Sequence, residues 1–101
     1  MRRLKEKLMY LIPSKRVLIV DNRKIKLSNT QYTIIKYLSN GEAELSENIG
    51  KAILGNYDWY AKRTLKVHIY LLNRKCKENI ITRTKNYGKY KLNRLMYIDR
   101  G

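Results

Sequence analysis

The spacing of apolar residues predicts a β-hairpin near the start of the chain. Residues 16–27 contain a β-branched run, then the turn pair Asp21-Asn22, then alternating polar and apolar residues. Alternation on both sides of a short turn is typical of a hairpin with one buried face. The preceding basic segment, residues 1–12, suits either a helical arm or a first strand, and Pro13 ends either element.

Three helices are predicted in the middle of the chain. Ser28 and Gln31 have the spacing of a capping box, so the first helix begins there, and Asn40-Gly41 ends it. A second helix ends at Gly55, and its apolar residues in register are Leu45, Ile49, Ala52 and Ile53. The third helix spans residues 61–77, and its apolar and polar side chains fall on opposite faces. Its predicted buried residues are Leu65, Ile69, Leu72 and Cys76.

A second hairpin is predicted after the helices. Residues 80–83 and 89–92 have strand character and are joined by a turn at 85–88. The order of hairpin, three helices and hairpin predicts an α+β fold of the winged helix-turn-helix type, with a C-terminal β-hairpin wing. This domain covers residues 8–92, and residues 93–101 are expected to form a C-terminal tail.

The charge of the chain points to a polyanionic partner. Twenty-three Lys and Arg residues against eight Asp and Glu residues give a formal net charge of +15. Residues 59–98 hold eleven bases and one acid, whereas residues 37–58 hold one base and four acids. A small domain with positive charge concentrated in this way favours nucleic acid over a membrane surface or an acidic protein. For the acidic stretch 42–47 we favour a solvated helix face over contact with a basic partner.

The cysteine content and hydropathy favour a cytoplasmic protein. Cys76 is the only cysteine, so an internal disulfide is excluded, and we expect it to fill the core. No apolar run is long enough to predict a membrane-spanning helix, so we expect no membrane partner. No nucleophile–base pair, cluster of metal ligands or phosphate-binding glycine loop is present in the sequence, so we predict neither an enzyme nor a cofactor.

Four motifs follow one another in the sequence. They are the predicted strands from Leu11-Ile12-Pro13 to residues 24–27, the helix opening LSNTQY at 27–32, RTLKVHI at 63–69, and NYGKY at 86–90. The last three are similar to L-T-x-x-E-F, R-T-V-D-V-H-I and G-x-G-Y, three sequence patterns that one family of DNA-binding domains shares. The chain therefore resembles the DNA-binding effector domain of OmpR/PhoB-type response regulators. Its length leaves no room for the usual receiver domain, so control by phosphorylation is not expected.

The resemblance implies a transcriptional regulator that binds double-stranded DNA in a sequence-specific manner. The third helix (61–77) would enter the major groove, and the wing (83–90) would contact the flanking backbone or the minor groove. Lys and Arg would contact phosphate or guanine, and His68 would by resemblance donate to phosphate. The candidate DNA-binding residues are Arg63, Lys66, Val67, His68, Tyr70, Leu71, Asn73, Arg74, Lys77, Arg83, Lys85, Asn86 and Lys89.

Further partners follow from the same resemblance. The family's loop between the second and third helices contacts RNA polymerase, and here that loop holds Tyr57, Trp59 and Tyr60. We favour the alternative that these rings anchor the loop to the core. A single winged domain reads few bases, so a homodimer or tandem copies on DNA are expected, with residues 2–12 as a candidate contact.

The sequence departs from the family at positions that decide specificity. Leu71 stands where the family often has a base-reading arginine, Asn86 replaces a glycine, and Lys89 is an extra wing residue. The apolar Val67 and Leu71 have two equally open interpretations: contact with thymine methyl groups, or packing beneath the wing or a dimer partner. The wing, likewise, has the alternative of a solvated hairpin that protects a sheet edge.

Two other functions remain open. The chain suits a non-specific architectural or nucleoid-type DNA-binding protein, and it also suits a winged-helix adaptor that binds protein. In either DNA-binding case we expect a cytoplasmic, nucleoid-associated protein. The richness in Lys, Asn, Ile and Tyr fits an AT-rich coding genome such as that of a phage, a plasmid or a low-GC bacterium.

Overall fold

The computed structural model describes residues 9–84 and 88–99. It is a small α+β domain with three helices and two sheets in the described residues. The elements in chain order are β1 (Met9–Ile12), β2 (Val17–Val20), β3 (Arg23–Lys26), α1 (Asn29–Tyr37), β4 (Glu44–Leu45), α2 (Ser46–Leu54), α3 (Trp59–Cys76), β5 (Ile81–Arg83), β6 (Lys89–Leu92) and β7 (Met96–Ile98). The predicted order of hairpin, three helices and hairpin is present, and β4 and β7 were not predicted.

The first sheet joins the two ends of the domain. Its strand order is β3-β2-β1-β7, in which β7 runs parallel to β1 and the other pairs are antiparallel. Asp21 and Asn22 both have positive φ (53° and 69°), as a tight hairpin turn between β2 and β3 requires. The predicted hairpin is therefore confirmed. Residues 9–12 form a strand rather than a helix, while residues 1–8, with most of the predicted dimer contact, lie outside the described residues.

The prediction of a tail after residue 92 is wrong for residues 96–98. Strand β7 pairs with β1, and Tyr97 stacks on Tyr10 with ring centroids 5.8 Å apart. Arg94 precedes this strand, and its side chain donates to Asp21 in the β2–β3 turn and to Glu78 after α3. These contacts hold residues 94–98 against β1 and the β2–β3 turn.

Helix α1 begins at the predicted capping box. Ser28 Oγ accepts from the backbone N–H of Gln31 at 3.1 Å, and Gln31 Oε1 accepts from the N–H of Ser28 at 3.0 Å. The helix ends at Tyr37, slightly before the predicted Asn40-Gly41. Gly41 has φ +84° in the following turn, a conformation that favours glycine.

The acidic stretch before α2 is not a helix face. Glu44 and Leu45 form the short strand β4, and Leu45 is exposed rather than part of the helix register. Only Glu47 of this stretch's acids lies on α2, where it forms a salt bridge of 3.0 Å with Lys51. The pairing of β4 with β6 accounts for the difference, because it holds the chain extended up to Ser46.

Helix α3 is the longest element, with 18 residues, and it begins two residues before the predicted start. Asp58 caps it, because its Oδ1 accepts from the N–H of Ala61 at 2.9 Å. The predicted buried face is confirmed, and Ala61 extends it. Lys77 ends the helix with φ 59°. This face packs into the one core that both sheets and the other helices share.

The second sheet places the C-terminal hairpin against α2. Its strand order is β4-β6-β5, with Ile81 opposite Leu92 and Arg83 opposite Tyr90. The N–H of Ser46 donates to Gly88 O at 2.5 Å, so Gly88, just before β6, is attached to the start of α2. None of the helices in the described ranges is both long and apolar enough to cross a membrane.

Candidate nucleic-acid interface

The exposed face of α3 is strongly basic. Its residues 59–76 include five Lys and Arg side chains and no Asp or Glu. Arg63, Val67, Tyr70 and Arg74 recur at intervals of four, three and four, so they form one row on the side opposite the core. All four side chains are exposed. The row therefore presents a cation at each end and apolar and aromatic groups between them.

Both arginines of this row lie over aromatic rings. The guanidinium carbon of Arg63 is 5.6 Å from the centroid of Trp59, and that of Arg74 is 5.8 Å from the centroid of Tyr70. Such cation–π contacts restrict the guanidinium while its N–H edge stays available for hydrogen bonding. The salt bridges within the described ranges do not include either arginine. Their charge is consequently available to an external anion.

Lys66 adds to this positive face near its start. It lines a shallow surface groove together with Trp59, Lys62 and Arg63. Lys62, which was not among the predicted residues, is exposed one turn from the N-terminus of α3. Lys77 lies at the other end of the helix, where it is exposed and serves as the C-cap. Exposed cations thus lie at both ends of α3, on either side of residues 67–73.

The aromatic residues before and within α3 divide into two groups. Tyr57 packs against the core, and its hydroxyl lies 2.9 Å from Ser46 Oγ, so the predicted core anchor is correct for this ring. The same prediction is wrong for Trp59 and Tyr60, which are 71% and 66% exposed. They lie in the first turn of α3 because Asp58 starts the helix, and the Asp58–Ala61 capping spacing was the sequence signal for this.

His68 is half-buried at the side of α3. It lines an open cleft of about 560 Å³ between α3 and the start of α1, together with Leu71, Arg74 and Lys75. Lys75 is already engaged, since its Nζ donates to Lys26 O at 2.9 Å and to Gln31 Oε1 at 3.0 Å. No group of three potential metal ligands occurs within residues 9–84 and 88–99. His68 is therefore the one imidazole that lines this cleft, and it lies at the edge of the basic face of α3.

Asn73 differs from the other predicted residues because its side chain is bonded within the protein. Its Nδ2 donates to Ile81 O at 3.0 Å, and its Oδ1 accepts from the N–H of Ile81 at 3.1 Å. Both ends of the amide are used in holding β5 against α3. Of the candidate DNA-binding residues, Asn73 is therefore the one that we assign to structure instead of DNA contact.

The C-terminal hairpin places its cations on two different faces. Arg83 lies directly opposite Tyr90, so these two side chains share a face. Lys89 and Lys91 flank Tyr90 in β6 and project from the other face. Lys91 is exposed and was not among the predicted residues. Lys85 and Asn86 lie outside the described residues.

Cys76 has no part in this surface. It is fully buried on the inner face of α3, which confirms the predicted role as a core residue. Burial raises the pKa of its thiol from 9.0 to about 11. The thiol is therefore protonated and protected at neutral pH.

No protein-family model matches the chain, and no curated protein shows significant similarity to it. The functional assignment of this protein rests on the charge, exposure and contacts of α3 and of the C-terminal hairpin that Asn73 attaches to it.

Proposed function

We propose that this protein is a winged helix-turn-helix transcriptional regulator that binds double-stranded DNA in a sequence-specific manner. The observation that carries the proposal is the outer face of α3. It combines basic residues without acids, two arginines oriented by aromatic rings, and exposed apolar side chains. Basic residues without acids suit contacts with phosphates. Oriented arginines and exposed apolar side chains suit contacts with base edges.

The dimensions of α3 suit a DNA groove. Eighteen residues at about 1.5 Å each give a helix of roughly 27 Å. The major groove of B-DNA is about 12 Å wide and admits one α-helix. With α3 in the groove, Lys66 and Lys77 would neutralise phosphates at the groove walls, while Arg63, Tyr70 and Arg74 would reach base edges. His68, at the edge of the face, would donate to a backbone oxygen.

The C-terminal hairpin would serve as the wing. Arg83 and Lys89 lie on opposite faces of the C-terminal hairpin. DNA that contacts the face of one of these residues therefore leaves the other residue without a phosphate partner. The face with Arg83 is the one turned toward the core, since it also carries the buried Ile81, Tyr90 and Leu92. The face with Lys89 and Lys91 points away from the core and offers two cations. We propose the two-lysine face as the backbone contact, since each neutralised phosphate adds affinity through counterion release.

The resemblance to OmpR/PhoB-type effector domains supports the same assignment. RTLKVHI lies on α3, and residues 88–90 of NYGKY lie in the C-terminal hairpin, so both motifs involve the elements that we assign to DNA contact. Within this proposal the protein works as a homodimer or as tandem copies on repeated half-sites, and its location is the nucleoid. The exposed Trp59 and Tyr60 are available to a protein partner, for which RNA polymerase is our candidate.

A non-specific architectural DNA-binding protein is the second candidate. The observation in its favour is the apolar character of Val67 and Leu71, which form no hydrogen bonds with base edges. An architectural protein relies on phosphate contacts and DNA deformation, for which the cations of α3 would be sufficient.

Selection from a random duplex pool tests both candidates. The purified protein is incubated with the pool at physiological salt, and the retained DNA is sequenced; the variant Lys66→Ala/Arg74→Ala is the matched control. An enriched motif, repeated at about one helical turn, supports the regulator. Retained DNA without a motif supports the architectural protein, and the absence of retention contradicts DNA binding altogether.

A further inference from the structure

The outer face of α3 carries an apolar stripe beside its cations. Val67 and Leu71 are one helical turn apart and are 48% and 43% exposed. This exposure is incompatible with packing beneath the C-terminal hairpin, so a dimer partner is what remains of the alternative to thymine contact. These apolar groups therefore lie on the surface that would enter the groove.

The neighbours of the stripe favour DNA over a protein partner. Val67 lies between Arg63 and Arg74 in the central row of α3. An apolar protein surface packed on Val67 would remove both guanidinium groups from water without an opposite charge, which is costly. A DNA groove avoids this cost, because phosphates line both of its walls. Its base edges also carry one apolar group, the 5-methyl of thymine.

The spacing of the two side chains fits the repeat of the bases. Residues four apart on a helix are about 6 Å apart along its axis. Two base-pair steps of about 3.4 Å each cover roughly 7 Å. A helix lying along the groove would therefore bring Val67 and Leu71 close to bases two steps apart. An alternating A·T sequence places thymines at that interval on each strand.

We propose that Val67 and Leu71 read thymine 5-methyl groups in the major groove, so that the protein selects A·T-containing sites with thymines two steps apart. This inference rests on the proposed DNA-binding function. It assigns the selection of A·T pairs to apolar contact at Val67 and Leu71, beside the hydrogen bonds that Arg63 and Arg74 would make with base edges.

Two synthetic duplexes isolate the methyl group. Alternating poly(dA-dT) and alternating poly(dA-dU) present the same hydrogen-bonding groups in the major groove, and only the first has the methyl. The protein is expected to bind poly(dA-dT) more tightly by on the order of tenfold, because two methyl contacts are lost in poly(dA-dU). Affinities are measured by fluorescence anisotropy at fixed salt, with poly(dG-dC) as a third duplex.

Variants show whether these two residues are responsible. Val67→Ala/Leu71→Ala is expected to bind poly(dA-dT) and poly(dA-dU) equally while it keeps its helical circular dichroism, since both sites are on the surface. Leu95→Ala, which removes an exposed apolar side chain far along the chain from α3, is the matched control and keeps the preference. A preference that survives in the double variant overturns the assignment to Val67 and Leu71.

The remaining outcomes separate this inference from the function on which it rests. Equal, salt-sensitive binding of the wild-type protein to both A·T and A·U polymers overturns methyl recognition and leaves DNA binding intact. No binding to these polymers or to any duplex in the random pool overturns both. A dimer in analytical ultracentrifugation that Val67→Ala/Leu71→Ala dissociates overturns the inference in favour of self-association.

Discussion

The side-chain amide of Asn73 is bonded to both backbone polar groups of Ile81, at 3.0 and 3.1 Å. This pair of hydrogen bonds connects α3 directly to the first residue of β5. It sets the position of the C-terminal hairpin relative to the helix that we propose as the DNA-reading element. A residue that the sequence predicts to contact DNA thus has a structural role in the domain.

Replacement of Asn73 by alanine is expected to destabilise the domain. Two hydrogen bonds at about 1 kcal/mol each give a loss of roughly 2 kcal/mol in the free energy of unfolding. Asn73→Asp keeps the acceptor for the Ile81 N–H but loses the donor, so its loss should be intermediate at neutral pH. Urea unfolding measures both variants. Unchanged stability together with lost DNA affinity would show that Asn73 contacts DNA instead.

The ring of Tyr57 is predicted to leave room only for a glycine at position 50. A Cβ at this position would lie 2.9 Å from Tyr57 Cε1 and closer still to Cδ1. The resulting overpacking costs about 1–3 kcal/mol, more than the helix propensity that alanine adds. Gly50→Ala should therefore lower the free energy of unfolding in the wild-type protein. In a Tyr57→Ala background the same change should raise it, and a loss of equal size in both backgrounds would contradict the proposed clash.

The cations of α3 are predicted to determine the salt dependence of DNA binding. Each phosphate contact contributes about 0.9 to the slope of log K against log salt concentration. Lys66→Ala/Lys77→Ala, which removes the two cations assigned to phosphates, should therefore reduce the magnitude of the slope by about 2 and weaken binding to every duplex. Lys24→Ala/Lys36→Ala, which removes two exposed cations on β3 and α1, is the control with little change expected. Equal slopes for the two variants would contradict the assignment of the binding face.

The elements that could be predicted from sequence are those with local causes. The capping box of Ser28 and Gln31 fixed the start of α1, and the 3.6-residue period fixed the buried face of α3. Both signals lie within one or a few helical turns. The hairpin turn at Asp21-Asn22 is local in the same sense. Each of these predictions is confirmed in the structure.

The elements that were missed depend on contacts between distant residues. Strand β4 has two residues, too few for an alternating pattern, and forms because β6 pairs with it. Strand β7 forms where Arg94 and the ring of Tyr97 reach the first sheet. In the candidate site, only the three-dimensional pairing of Asn73 with Ile81 distinguishes this residue from the exposed Arg74. Sequence spacing does not contain that information.

Arg94 is expected to be the most sensitive charged residue for stability among those in the described salt bridges. Its side chain is 6% exposed, and it donates to Asp21 Oδ1 at 3.0 Å and Glu78 Oε2 at 2.6 Å. Arg94→Leu should lower the free energy of unfolding by about 2 kcal/mol. This loss is smaller than that for breaking a fully buried ion pair, because both carboxylates are partly in solvent. Arg94→Lys should restore little, since an ammonium group lacks the fork that contacts both acids.

Urea unfolding also tests the Arg94 prediction, with Lys91→Leu as the control for loss of an exposed cation. Hydrogen exchange gives a local readout at the Met9 and Asp99 amides, which donate to Leu95 O and Leu11 O beside β7. Both amides should lose protection in Arg94→Leu. Full protection at these two positions would show that β7 does not depend on Arg94.

The stability of the domain is predicted to fall in alkaline solution because of the buried thiol of Cys76. Its pKa is raised by burial from 9.0 to about 11, so below pH 9 the thiol is protonated in both the folded and the unfolded chain. Between pH 9 and pH 11 the thiol loses its proton in the unfolded chain but keeps it in the folded chain. The free energy of unfolding therefore falls by on the order of 2 kcal/mol as pH rises through the folded pKa. Burial also raises the pKa of Tyr90, so Cys76→Ala should reduce the alkaline loss without abolishing it. Urea unfolding from pH 8 to pH 11 measures the difference, and identical pH profiles for the two proteins would contradict a role for the thiol.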